Sequence, residues 1–284
     1  MMLEKVDPSV VGVSQERLKR ITRWLEQQVG EGKLAGASAL VARRGKIAYL
    51  QCAGFADKAD GKVLAPDSIV RIYSMTEPLT TVAAMMLYEE GCFQLDDPVA
   101  KYLPEFGDTP VWRGGGAPIT DVEEQRSPML VKQLMSHTSG LTYHFMHSTP
   151  VDAQYREQAI EFQSHSESLA QMTRRLASIP LLCQPGSQWN YSVATDVLGR
   201  LVEVLSGMSL ADFFRQRIFA PLKMVDTGFS VPEQTRHRFA ALYGPAVGGD
   251  MSSVGGAAAP VPQEERGGLV LQESSTQSVY CEEP

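Results

Sequence analysis

A serine and a glutamate three residues apart open the apolar, helix-periodic stretch that begins at Ser74. Ser74 and Glu77 would lie one turn apart on the same face of a helix. A serine at a helix N-terminus lies near free backbone N–H groups and the positive end of the helix dipole, which favour an alkoxide or an oxyanion. The spacing therefore suits a nucleophile and its activator, although the activator is here a carboxylate.

The same two residues also fit a purely structural role. Ser-x-x-Glu is the capping-box pattern, in which Ser74 would cap the helix and Glu77 would bond back to the first free N–H. Spacing alone leaves both interpretations open. A Ser-His-Asp triad is a weaker alternative, because the sequence contains no Gly-x-Ser-x-Gly element.

Further stretches of the sequence favour the catalytic interpretation of Ser74 and Glu77. Residues 136–141 read Ser-His-Thr-Ser-Gly-Leu, residues 185–192 read Pro-Gly-Ser-Gln-Trp-Asn-Tyr-Ser, and residues 221–229 read Pro-Leu-Lys-Met-Val-Asp-Thr-Gly-Phe. Together with the Ser-Met-Thr-Glu-Pro-Leu-Thr helix start at residue 74, their order and spacing resemble the serine β-lactamase and penicillin-binding-protein superfamily. The resemblance is greatest to the class C β-lactamase-like serine esterases, and it covers about residues 10–230.

The resemblance implies roles for individual positions. Ser74 matches the nucleophile that forms an acyl-enzyme, Tyr191 matches the second acid or base, and Glu77 stands at the position of the family's lysine. Tyr191 could instead be a buried anchor whose hydroxyl is satisfied by backbone. Val193 stands where many relatives have asparagine, and His137 belongs to a structural loop as a packing or hydrogen-bonding residue.

Glutamate at position 77 predicts an impaired catalyst. A carboxylate can accept a proton but repels an oxyanion, and one charge pair at about 4 Å in an effective dielectric near 20 is worth roughly 4 kcal/mol, or about three decades in rate. We therefore expect a carboxylesterase-like serine hydrolase for small esters, weakened by Glu77. β-Lactams or D-alanyl peptides are alternative substrates, which the lack of an export signal in residues 1–8 disfavours. The alternatives are a non-catalytic protein of the same fold that binds a ligand or a partner, and a helix-rich domain without a site.

The elements that must position these residues are mostly helices. Apolar residues recur at helical spacing from Leu18 to Val29, and Ala194–Leu205 is strongly amphipathic. A further helix is predicted from Phe162 to Ile179. Two apolar runs around Arg44-Gly45 predict a β-hairpin, and Ser68–Tyr73 predicts a third short strand. Beyond Tyr243, only residues 268–271 resemble a strand.

This order predicts an α+β fold, with an antiparallel sheet flanked by helices plus a mostly helical domain, as in β-lactamases and transpeptidases. Residues 1–75 would form the N-terminal part of the sheet domain, 76–230 the helical domain with the site, and 231–284 an extended segment leading back to the sheet. The family's Lys-Thr-Gly-like or Trp/Gly-rich strand motif does not follow Tyr243. We therefore expect C-terminal sheet strands to be missing, as in a fragment or a truncated product.

Charge and apolar content argue against several classes of partner and location. A net charge of −7 and the lack of a basic cluster argue against nucleic-acid binding. The apolar runs near Val82–Leu87 are far shorter than the roughly 20 residues that span a bilayer. Residues 1–8 lack the apolar core of an export signal, which favours a cytoplasmic protein with reduced thiols.

No cofactor or metal is expected. The cysteines show no zinc-ligand spacing, and the pair His144 and His147 has no carboxylate at a ligand spacing. A small-molecule ester or amide is the predicted partner.

Overall fold

The computed structural model describes residues 4–160, 167–245, 268–276 and 278–281. They divide into two compact units. The first comprises residues 4–71, 226–245 and the described residues from 268 onwards, and the second comprises 72–160 and 167–225. Among these residues, no helix combines the length and apolar character needed to cross a membrane.

Helix α1 (Gln15–Gly30) opens the first unit. Ser14 caps it, because the Ser14 Oγ accepts a hydrogen bond from the Arg17 N–H at 3.3 Å. Leu18 and Leu25, two turns apart, are buried and form its inward face. The helical spacing read from the sequence is thus confirmed for this element.

The predicted hairpin consists of β1 (Gly36–Arg43) and β2 (Lys46–Asp57), paired antiparallel with Arg43 opposite Lys46. Arg44 and Gly45 both have positive φ, as the tight hairpin turn requires. The third strand is β3 (Lys62–Val63), which pairs with β2. The predicted strand at residues 68–73 is wrong, because only Ile69 there makes a β-bridge, to Phe239.

Two strands that follow the helical unit form a second hairpin in the first unit. Strand β6 (Leu242–Pro245) pairs antiparallel with β7 (Leu269–Glu273). The Tyr243 hydroxyl donates to Asp57 Oδ1 at 3.0 Å, and the Ala241 N–H donates to the Ala56 carbonyl at 2.9 Å. These bonds join the second hairpin to the end of β2.

The second unit is mostly helical. Its helices are α2 (Thr76–Glu89), α3 (Val131–Met135), α4 (Pro150–Glu157), α5 (Leu169–Ala177), α6 (Ala194–Ser206), α7 (Leu210–Phe213) and α8 (Ala220–Leu222), with a π-helical turn at Phe214–Phe219 between the last two. A two-stranded ladder of β4 (Val111–Trp112) and β5 (Val122–Glu123) completes it. The sequence predicted a helix from Phe162 to Ile179; residues 161–166 lie outside the described part, and the helix found is α5.

Helix α6 lies at the centre of this unit's core. Val197, Leu198, Leu201 and Val202 are fully buried, which is the apolar face that the sequence predicted. They belong to one cluster with buried aromatic side chains of the surrounding elements, among them Phe93, Phe106, Phe213 and Phe214. Helix α2 contributes Ala83, Ala84 and Leu87 to the same cluster. The fold is α+β, with antiparallel strands in one unit and mostly helices in the other, as predicted.

Candidate active site

Ser74 lies in a 3₁₀ turn, Tyr73–Met75, that leads directly into α2. Tyr73 has a φ of 40°, a strained conformation for a side chain of its size. The Ser74 side chain is exposed and makes no capping bond to the helix, and neither does that of Met75 at the cap position. The capping-box interpretation of Ser74 and Glu77 is therefore wrong.

Tyr191 lies in the loop that precedes α6, and its neighbour Asn190 ties that loop to another. The Asn190 N–H donates to the His137 carbonyl, and its side-chain Nδ2 donates to the Leu141 carbonyl, both at 2.8 Å. The segments 137–141 and 190–191 are thus held side by side. These are the two stretches whose motifs stood out in the sequence.

Ser74, Tyr191 and Glu77 form one hydrogen-bonded chain. The Tyr191 hydroxyl lies 2.5 Å from Ser74 Oγ and 2.6 Å from Glu77 Oε1. An ionised carboxylate only accepts, so the single phenolic hydrogen points to Glu77 and the Ser74 hydroxyl donates to Tyr191. The three residues predicted from the sequence therefore meet, and their hydrogen bonds run in one direction, from serine to carboxylate.

The second oxygen of Glu77 faces His137. His137 Nε2 lies 3.3 Å from Glu77 Oε2, and His137 Nδ1 lies 3.3 Å from Ser192 Oγ. The His137 side chain is largely buried, with 12% exposed, and the Glu77 side chain is 23% exposed. His137 was expected to be a loop residue with packing or hydrogen-bonding contacts, and its contact with Glu77 had no signal in the sequence.

Burial and charge shift the acidities of the neighbouring groups. Burial raises the pKa of the Tyr191 phenol, and its hydrogen bond to Glu77 raises it further, while the Ser74 bond opposes the change. Burial also raises the pKa of Tyr143, with the charges of Asp196 and Glu77 adding to the effect. The phenols around Glu77 therefore stay protonated at neutral pH.

Asp196, in the first turn of α6, is a further acid near this cluster. Burial raises its pKa to about 7, its own backbone N–H opposes the rise, and the charge of Glu77 adds to it. Sequence reasoning did not find Asp196 or Tyr143 as members of the site. Tyr143 follows the 136–141 motif by two residues, which was the available signal for it.

Aromatic rings surround the phenol of Tyr191. Tyr143 lies with its ring centroid 5.0 Å from that of Tyr191, and Trp189 stacks nearly parallel to Tyr191 at 6.4 Å. Trp189 is 66% exposed and Met75, next to Ser74, is 68% exposed. Exposed apolar side chains thus lie beside Tyr191 and next to Ser74 in the chain. No group of His, Cys, Asp and Glu able to hold a metal occurs within the described part of the chain.

The chain is similar in sequence to a known protein family and to known esterases. The family model described as Beta-lactamase matches residues 21–270. Esterase EstB of Burkholderia gladioli is 34% identical over 246 residues, which cover 86% of this chain and 59% of EstB. Lovastatin esterase of Penicillium rubens is 31% identical over 166 residues, which cover 57% of this chain and 40% of that enzyme.

A solved structure described as EstCE1, a hydrolase with promiscuous acyltransferase activity, superposes with a TM-score of 0.70 and 32% identity. The match covers 81% of this chain and 57% of that one. The chain therefore spans between 40% and 59% of the length of these three relatives.

Proposed function

The chain belongs to the beta-lactamase family, and from that premise we propose that it is a serine hydrolase that cleaves small carboxylic esters through an acyl-enzyme on Ser74. The observation that carries the proposal is the 2.5 Å contact between Ser74 Oγ and the Tyr191 hydroxyl, because it gives the nucleophile a proton acceptor. The names of EstB, lovastatin esterase and EstCE1 support an ester as the substrate class.

The hydrogen-bond chain defines where the proton goes. Ser74 Oγ attacks the ester carbonyl carbon, and the carbonyl π electrons move onto the carbonyl oxygen. The Ser74 proton passes to the Tyr191 oxygen while the Tyr191 proton passes to Glu77 Oε1. When the tetrahedral intermediate collapses, the departing alkoxide takes a proton from Tyr191, which regains one from Glu77. Water then releases the acid from Ser74 by the same route.

Glu77 makes this route slow. The raised pKa of Tyr191 disfavours a tyrosinate, so the phenol must receive and release a proton together. The negative carboxylate also opposes the oxyanion that forms on the substrate, whereas the family's lysine would attract it. We therefore propose that the enzyme acts on esters with activated leaving groups and that its rate is low.

A fluorophosphonate probe tests the proposal, because it labels only an activated serine. We expect mass spectrometry to place the label on Ser74, and we expect Ser74→Ala to abolish both the labelling and the hydrolysis of p-nitrophenyl acetate. Thr76→Ala, two residues away, serves as the matched control for a hydroxyl outside the hydrogen-bond chain. Absence of labelling in the natural chain and also in Glu77→Lys would contradict the proposal and favour a non-catalytic binding protein of the same fold.

A further inference from the structure

His137 contacts the one carboxylate that has replaced the family's lysine. Glu77 uses Oε1 to accept from Tyr191 at 2.6 Å and Oε2 to face His137 Nε2 at 3.3 Å. The two oxygens of one carboxylate are thus engaged by two residues from two different segments. Neither residue alone fixes the plane of the carboxylate.

The surroundings of His137 determine which ring nitrogen carries the hydrogen. An ionised Glu77 only accepts, so His137 Nε2 must donate. In a neutral imidazole with its hydrogen on Nε2, Nδ1 accepts, so the Ser192 hydroxyl donates to Nδ1 across 3.3 Å while Ser192 Oγ accepts from the Ala194 N–H at 3.4 Å. Ser192 is fully buried. The network therefore favours one tautomer, with its N–H directed at Glu77.

The backbone and the packing hold the ring in place. His137 has a φ of 53°, a conformation in the left-handed region, and its carbonyl accepts from the Asn190 N–H at 2.8 Å. Its ring meets the Tyr191 ring edge-on, with the centroids 4.9 Å apart. Backbone conformations of this kind, held in place by their surroundings, are common at functional sites.

From this geometry we propose that His137 is a positioning residue for the reaction on Ser74: it holds Glu77 so that Oε1 stays on the Tyr191 phenol. Without the Nε2–H contact, the partly exposed carboxylate of Glu77 would regain its side-chain freedom and turn towards water. Tyr191 would then lose its proton acceptor. The inference rests on the proposed function, and it assigns to His137 a role through Glu77 rather than a contact with substrate.

Two variants of His137 separate this role from a structural one. In His137→Gln the side-chain Nε2 reaches about as far as the histidine Nε2, so it can still donate to Glu77. In His137→Asn the shorter Nδ2 corresponds to the histidine Nδ1 and cannot reach, although asparagine tolerates the left-handed φ better than glutamine does. Backbone strain alone thus predicts the higher kcat for His137→Asn, whereas the reach of the side chain predicts the higher kcat for His137→Gln.

The measurement is steady-state hydrolysis of p-nitrophenyl acetate by the full chain, with the thermal midpoint of each variant recorded. We expect kcat to fall at least about tenfold in His137→Asn with little change in KM, and to recover to within about threefold of the natural chain in His137→Gln. Equal kcat in His137→Asn and the natural chain, or equal losses in both variants, would overturn the role of His137.

Ser192→Ala provides a second arm that applies even if His137→Gln does not fold. Loss of the Ser192 hydroxyl leaves His137 Nδ1 without its partner, and we expect kcat to fall about threefold to tenfold. An unchanged kcat would overturn the proposal. Ser74→Ala is run in parallel, because a rate that does not depend on Ser74 would refute the proposed function itself, whereas a Ser74-dependent rate insensitive to His137 and Ser192 would refute only this inference.

Discussion

The Tyr191 hydroxyl donates to Glu77 Oε1 at 2.6 Å, although 114 residues separate the two in the chain. Because that hydroxyl has a single hydrogen, its contact with Ser74 must be one in which the serine donates. In the proposed reaction, the carboxylate therefore directs proton transfer away from the serine. In the same proposed reaction, a negative Glu77 would oppose the negative charge that develops on the substrate.

Replacing Glu77 by lysine is expected to raise the Ser74-dependent rate of ester hydrolysis. One charge pair at about 4 Å is worth roughly 4 kcal/mol in an effective dielectric near 20. Lowering the activation free energy by that amount would raise the rate by up to about 1,000-fold. The measurement is kcat/KM for p-nitrophenyl acetate in Glu77→Lys, with Glu77→Gln as the neutral control of equal size. We expect the order lysine, glutamate, glutamine.

That order separates two properties of Glu77. Glutamine removes the negative charge but also removes the terminal proton acceptor of Tyr191. If Glu77→Gln hydrolysed the ester faster than the natural chain, the carboxylate would be an obstacle only and the proposed proton route through it would be refuted.

Removing the Tyr191 hydroxyl is expected to interrupt the route at its centre. In Tyr191→Phe the ring packing against Tyr143 and His137 is retained, while Ser74 and Glu77 both lose their shared partner. General acid–base catalysis contributes about 10²–10⁴-fold, so we expect kcat to fall about 100-fold. The thermal midpoint should change little, because the lost bonds lie at a partly exposed site. A Tyr191→Phe variant as fast as the natural chain would contradict the relay.

Local signals were sufficient for elements whose partners are near in sequence. The hairpin β1–β2 follows from two apolar runs around the Arg44-Gly45 turn, and α6 follows from its apolar stripe. The strand expected at residues 68–73 failed because its β-propensity had no partner beyond one bridge to Phe239. Strand β6 escaped notice because its partner, β7, lies more than twenty residues further along.

The sequence likewise predicted one part of the candidate site and not the other. The motifs in their order along the chain were enough to bring Ser74 and Tyr191 together as a prediction, and the structure places their oxygens 2.5 Å apart. The contact between His137 and Glu77 depends on a left-handed φ at His137 and on the loop pairing through Asn190. Residue types and spacing carry no information on either.

Asp196 is expected to reduce stability as pH rises. Burial raises its pKa from 3.8 to about 7, so between these values the folded state keeps a proton that the unfolded state has released. The free energy of unfolding therefore falls with rising pH over this window, and the loss is complete above about pH 7. Asp196→Asn removes this titration and should be more stable than the natural chain by about 1–3 kcal/mol at pH 8, a range lowered because the Asp196 side chain is only partly buried. The difference should vanish below about pH 4.

Urea denaturation at pH 4 and pH 8 measures this difference. Asp212→Asn is the matched control, because the Arg215 and Ser209 bonds lower the pKa of Asp212, the opposite direction. That variant should show no gain at pH 8. A gain for Asp196→Asn that is equally large at pH 4 would show that titration is not its source.

Gly140 is expected to be indispensable to the loop that carries His137. Its φ is 89°, and a Cβ at this position would collide with the carbonyl oxygen of Cys183. The Gly140 carbonyl accepts from the Leu182 N–H at 2.7 Å, so neither segment can move away without breaking that bond. We expect Gly140→Ala to lower the free energy of unfolding by at least about 3 kcal/mol.

Gly207 is the matched control for the collision between a Cβ at position 140 and the Cys183 carbonyl oxygen. It also has a positive φ, 69°, at the end of α6, but a Cβ there would meet no atom within 4 Å. Gly207→Ala should therefore cost only the left-handed conformation, about 1–2 kcal/mol. Urea denaturation of both variants measures the difference. Equal losses would mean that the Cys183 carbonyl yields, and the close approach of residues 140 and 183 would then contribute nothing to the position of His137.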